Sequence, residues 1–60
     1  MSTSGPLRVL VVDDNESVRR SVRQLLNAEP DIQIVSEAVD GGDAIRKARE
    51  HTPDLVLMDI

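Results

Sequence analysis

Two short apolar runs, each ending on an acid, do most to limit what this chain can become. Val9–Val12 is unbroken and stops at Asp13-Asp14-Asn15; Leu55–Met58 is unbroken and stops at Asp59. A continuous apolar run, as opposed to an alternating one, is how a strand covered on both faces reads, and sheets covered on both faces are parallel ones with helices above and below. The residues between the runs supply the helices. Val18, Val22, Leu25 and Leu26 recur at i, i+4, i+7 and i+8 and predict one apolar stripe on a helix over residues 16–28. Asn15 stands at the N-cap position, Glu16 places an acid in the first turn, and Pro30 bars continuation. Ile32 and Ile34 alternate with Gln33 before the pattern blurs, which predicts a strand over 32–38 lying at a sheet edge. Asp40-Gly41-Gly42-Asp43 reads as a turn with Asp40 as cap, opening a helix over 42–51 whose short stripe is Ala44, Ile45 and Ala48. Thr52-Pro53-Asp54 ends it, and the third strand covers 55–58.

The order is therefore β-α-β-α-β, preceded by a polar lead-in, residues 1–6, expected to be disordered. Strands joined by helical crossovers are parallel, and the crossovers are right-handed in nearly all cases. With the second strand at an edge and the first most apolar, the expected spatial order is 2-1-3. This is the first half of a doubly wound parallel α/β sheet. The order has a chemical consequence. Asp13 and Asp14 leave the first strand, and Asp59 leaves the third, at the same edge of a sheet whose neighbouring strands lie about 4.8 Å apart. The winding reverses between those strands, which is where open α/β sheets bind ligands. Two like charges about 4 Å apart cost about 1 kcal/mol in water and about 4 kcal/mol at an effective dielectric near 20. Three converging carboxylates need relief by a proton, a lysine or a cation. Oxygen-only donors select a hard cation, and Mg²⁺ takes one or two carboxylates together with water and phosphate. The pattern predicts a Mg²⁺-dependent phosphate or phosphoryl site built from Asp13, Asp14 and Asp59.

Composition removes several other classes. The chain has 60 residues, no cysteine and no aromatic residue, with 7 basic against 11 acidic side chains. There is no disulfide and no thiolate zinc site. Nothing can stack on a single-stranded nucleic acid, and the acidic balance disfavours a nucleic-acid surface on this stretch. No apolar run approaches the roughly 20 residues of a membrane helix, and no signal peptide opens the chain, so a soluble, cytoplasmic location without membrane contact is expected. Gly41-Gly42 lacks the remainder of a phosphate-binding loop. Asp13-x-Asn15 is not a calcium loop, because Val18 stands where glycine is required.

Val-Leu-Val-Val-Asp13-Asp14, Val18-Arg19, Glu37-Ala38 with Asp40-Gly41, Ala44-Ile45 and Pro53-Asp54-Leu-Val-Leu-Met-Asp59 occur in order over nearly all of residues 7–60. This set resembles a receiver domain of bacterial two-component response regulators. Val18-Arg19, Leu25-Leu26 and Glu37-Ala38 resemble more particularly the receivers of LuxR-type helix-turn-helix transcription factors. The resemblance implies a flavodoxin-like, CheY-like fold, and a phosphorylated signalling module in place of an enzyme. It implies that Asp59 is the phospho-acceptor for a sensor histidine kinase and that Asp13 and Asp14 hold Mg²⁺. It also implies that the first helix, with Arg19, Arg20 and Arg23, can contact the kinase. On composition alone these arginines read as a solvated helix face.

The resemblance further implies parts that lie past Ile60: a carbonyl ligand two residues beyond the acceptor, a Ser/Thr after a fourth strand and a Lys after a fifth. Lys47, the single lysine, stands on the second helix and is not that residue. Residues 7–60 are thus expected to be a truncated receiver, inactive as a switch by itself, with DNA contacted only through an output domain outside these residues. Two other readings compete. One is a fragment of a Mg²⁺ phosphohydrolase with a strand-end aspartate nucleophile, although such sites commonly read Asp-x-Asp. The other is an inert fragment that associates with itself through the exposed edge of its third strand.

Overall fold

A computed structural model describes residues 5–58, so the Asp59 reading and most of the lead-in reading fall outside the described residues. The elements are β1 (Leu7–Val12), α1 (Glu16–Asn27), β2 (Ile32–Ala38), α2 (Gly41–His51) and β3 (Leu55–Met58). The three strands are parallel and ordered β2-β1-β3. Both helices begin where side chains satisfy their free N–H groups. Asn15 Oδ1 accepts from the Ser17 and Val18 amides at 2.8 and 3.2 Å, and Asp40 Oδ1 accepts from Asp43 N at 2.8 Å. Asp43 in turn accepts from Val39 N at 3.1 Å and binds Arg46, so its carboxyl is held below the ordinary carboxylate range, chiefly by the Val39 hydrogen bond.

The central strand is buried as its apolar run requires: Val9, Leu10, Val11 and Val12 are all inside. Leu10 and Val12 form the core with Ala38 and Ala44, and Ala48 packs against it. Small alanines on α2 let that helix lie close to the sheet.

One irregularity decides what β2 presents to each helix. Val9 pairs with Ile34, but Leu10 pairs with Ser36, so Val35 is an extra residue without a partner on β1. In a parallel pair, partners share a face, and a one-residue slip exchanges faces. Beyond Val35, Glu37 therefore falls on the side of Val11, toward α1, and Ala38 on the side of Val12, toward α2. Without the extra residue, the acid would meet the apolar core and the alanine would meet the arginines. The blurred alternation after Ile34 is this bulge read along the chain.

Two sequence expectations need correction. The stripe on α1 is rolled. Its covered side centres on Val22, Leu26 and Arg19, which span about 60° at about 100° per residue, whereas Val18 is 38% and Leu25 71% exposed. Arg19 thus belongs to the packed face, with its side chain 15% exposed, and is no solvated arginine. Second, β3 reads as covered on both faces but is exposed at all four residues. Among the described residues, α1 and α2 pack on β1 and β2, and the outer edge of β3 is unpaired.

The start of β3 is set by Arg8. Its amide donates to Asp54 Oδ2 at 2.9 Å, its carbonyl accepts from Asp54 N at 2.8 Å, and its guanidinium donates to the Thr52 carbonyl at 2.8 Å. Thr52 closes α2 in a left-handed conformation, φ 44° and ψ 61°, and its N–H bonds to the Ala48 carbonyl. No helix among the described residues is long and apolar enough to cross a membrane.

Candidate functional site

The chain leaves β1 through Asp13-Asp14-Asn15, and every polar group of Asp13 that the structure pairs is tied to a different part of the fold. Its N–H donates to the Ala38 carbonyl at 3.0 Å, continuing the ladder with β2 by one step. Its carbonyl accepts from Arg19 Nη1 at 2.7 Å, and its Oδ1 accepts from Asn15 N at 2.8 Å. Asp13 is 8% exposed and is the buried polar residue among those described. Asp14, one position on, is exposed.

These two acids open onto a crevice of about 420 Å³ lined by Val12, Asp13, Asp14, Val39, Asp40, Gly41 and Met58. It lies at the carboxyl ends of the strands, with the β2–α2 turn as one wall. The other wall is Met58, which pairs with Val12 and is the last described residue of β3. Asp59 is outside the described residues; among those described, no three His, Asp or Glu side chains cluster closely enough to hold a metal ion. The donor chemistry present suits Mg²⁺ all the same. Asp13 and Asp14 offer oxygen alone, beside a space large enough for water and phosphate, and one or two carboxylates are what that ion takes from a protein.

The structure adds two residues to this neighbourhood that the sequence pattern did not offer. Asp40 lines the crevice as well as capping α2, so a third carboxylate among the described residues stands on its rim. Arg19 reaches the site from behind. Its Nε lies 3.4 Å from Glu37 Oε1, while Arg23 Nη1 meets Glu37 Oε2 at 2.6 Å. Spacing along α1 gave no sign of this, because the pairing depends on the bulge at Val35. Arg20 differs from its neighbours: it pairs at 3.3 Å with Glu16 on the open surface. Lys47 is away from the crevice, its Nζ donating to the Glu37 carbonyl at 2.7 Å.

Known proteins share this fold. Residues 9–60 match the response regulator receiver domain family. The chain is 46% identical over 54 residues to the transcriptional regulatory protein LiaR of Bacillus subtilis, covering 90% of this chain and 26% of that protein. It is 52% identical over 54 residues to a protein-glutamate methylesterase/protein-glutamine glutaminase of a Nocardioides species, covering 90% of this chain and 15% of that one. The crystal structure of the response regulator domain of Thermotoga maritima CheB superposes with a TM-score of 0.89 at 42% identity, covering 92% of this chain and 41% of the other. The chain thus spans about a quarter or less of the length of these curated relatives.

Proposed function

Because the chain belongs to the response regulator receiver domain family, we propose that it is the phospho-acceptor module of a two-component response regulator, phosphorylated on Asp59 by a sensor histidine kinase. The supporting observation is the Asp13–Asp14 pair, one acid buried and clamped and the other exposed, on a crevice at the carboxyl end of the central strand. In the reaction, a carboxylate oxygen of Asp59 attacks the phosphorus of a phosphohistidine. A P–O bond forms and the P–N bond breaks. The imidazole nitrogen leaves with the electron pair and takes up a proton, and the product is an acyl phosphate. Mg²⁺, when bound, supplies positive charge against the phosphoryl oxygens. Asp13 and Asp14 would hold it, Asp13 from a main chain fixed on both sides and Asp14 from the open side. Val12, Val39 and Met58 give the same crevice an apolar lining. Phosphorylation adds about −1.5 to −2 charge to a rim that already carries Asp13, Asp14 and Asp40, a change that a bistable neighbouring element can read.

Of the three arginines on α1, Arg20 and Arg23 keep exposed side chains that a kinase can reach, although each is paired with a glutamate, whereas Arg19 is packed away. The likeness to LiaR supports a transcriptional output, with DNA contacted by parts of the protein outside these residues. Cytoplasmic location follows from the same reading. Methylesterase relatives are named for an enzymatic activity, which this proposal assigns to regions beyond their receiver segment.

Incubating the natural full-length protein with acetyl phosphate and Mg²⁺ tests the proposal. Asp59→Asn is expected to abolish labelling, and Asp13→Asn to reduce it at least tenfold. Unchanged labelling of Asp59→Asn would refute the assignment. Sustained multiple turnover of a phosphomonoester would favour a phosphohydrolase instead.

A further inference from the structure

We infer that Arg19 is a positioning residue for the acidic pair, fixing the main chain from which Asp13 and Asp14 reach a divalent cation. The inference rests on the proposed Mg²⁺ site and adds a residue to it. Arg19 bridges two elements. Nη1 holds the Asp13 carbonyl at 2.7 Å while Nε faces Glu37 Oε1 at 3.4 Å. Glu37 is itself held by Arg23 at 2.6 Å and is the neighbour of Ala38, whose carbonyl takes the Asp13 N–H at 3.0 Å. The end of β1 is thereby caught on both its N–H and its C=O by one short stretch of β2, directly through Ala38 and indirectly through Arg19. The Arg19 side chain is 15% exposed, and a planar fork can serve two acceptors at once where an ammonium serves as a point charge.

Charge and geometry make opposite predictions here. As a cation close to a dication site, Arg19 opposes metal binding by simple repulsion, so its removal would tighten binding if charge were its whole effect. As the group that holds the Asp13 carbonyl, its removal lets the Asp13–Asp14 turn wander and weakens binding. Groups that orient metal ligands typically change metal affinity about ten- to a hundredfold when replaced.

Mg²⁺ alone, titrated calorimetrically into the natural full-length protein with folding checked by circular dichroism, separates these. Arg19→Met is expected to weaken Mg²⁺ about tenfold, with Arg19→Lys between it and the wild type, and Asp13→Asn to remove binding. Arg19→Lys keeps the charge, so its loss reports geometry, and it carries the test should Arg19→Met not fold. Unchanged or tighter binding by Arg19→Met, or by Arg19→Lys when that variant carries the test, with Asp13→Asn still defective, overturns the role of Arg19 and leaves the site standing. Normal binding by Asp13→Asn overturns the site itself, and the inference with it.

Discussion

Asp43 shows how much of this fold is settled by single polar side chains. It accepts from Val39 N, receives Arg46 and lies 3.6 Å from Lys47. All three favour its ionised form, and its carboxyl is lowered, the Val39 hydrogen bond being the largest cause. A carboxyl lowered on folding contributes stability that is present above its unfolded pKa and is lost as pH falls through its folded one. Wild type should therefore be more stable than Asp43→Asn at pH 5, and the two melting curves should draw together as pH falls from about 3.8 through the lower folded-state value. Melting temperatures across that range check it; a constant offset at all pH values contradicts it. Arg19 is the opposite kind of residue, one whose importance is invisible in its own neighbourhood of the chain. Its partners Asp13 and Glu37 are 6 and 18 positions away, and nothing about an arginine on a helix announces a main-chain carbonyl.

Among the elements, the contrast between β1 and β3 shows where the pattern along the chain is informative. Burial on both faces left β1 no freedom, and its continuous run read correctly. The caps Asn15 and Asp40 and the Thr52-Pro53 stop locate α1 and α2 to within a residue: α1 ends at Asn27 and not at 28, and α2 opens at Gly41 and not at 42. What was not readable was anything that needs a neighbour. The bulge at Val35 exists because β1 supplies a register against which one residue is extra. The exposure of β3 is likewise a matter of which elements lie over it, since its apolar run is no less continuous than that of β1. The placement of Asp13 and Asp14 at the carboxyl end of β1 was legible because the apolar run stops there; the Asp40 contribution to the crevice was not, because a capping role already accounted for it. The left-handed Thr52 carries a testable cost. A β-branched residue at positive φ loses about 1–2 kcal/mol that glycine does not, while glycine loses about 0.5–1 kcal/mol more chain entropy on folding. Thr52→Gly should stabilise by about 0.5–1 kcal/mol, seen as a higher urea midpoint at unchanged slope. A lower midpoint would mean that the Arg8 contacts to Thr52 outweigh the strain.

At the largest scale, the sheet formed by the described residues is asymmetric. One side of β1 is closed by β2, with both helices folded over that half, and the other side ends in a bare strand whose outer edge is unpaired among the described residues. Such an edge is a template for another strand, including that of a second copy. The acidic crevice lies where the closed and open halves meet, so its two walls differ: the β2–α2 turn is anchored by Asp40 and Asp43, and the β3 wall is held through β1. The crevice therefore lies at the reversal of winding between β1 and β3. The reading stands or falls on which carboxylate carries the phosphoryl group. After brief exposure to acetyl phosphate and Mg²⁺, the natural full-length protein can be trapped by borohydride reduction, which converts an acyl phosphate to the alcohol, and mapped by mass spectrometry. The modification is predicted on the peptide containing Asp59, at that residue alone and only with Mg²⁺ present. Modification at Asp13 or Asp14, or none at any aspartate, would contradict it.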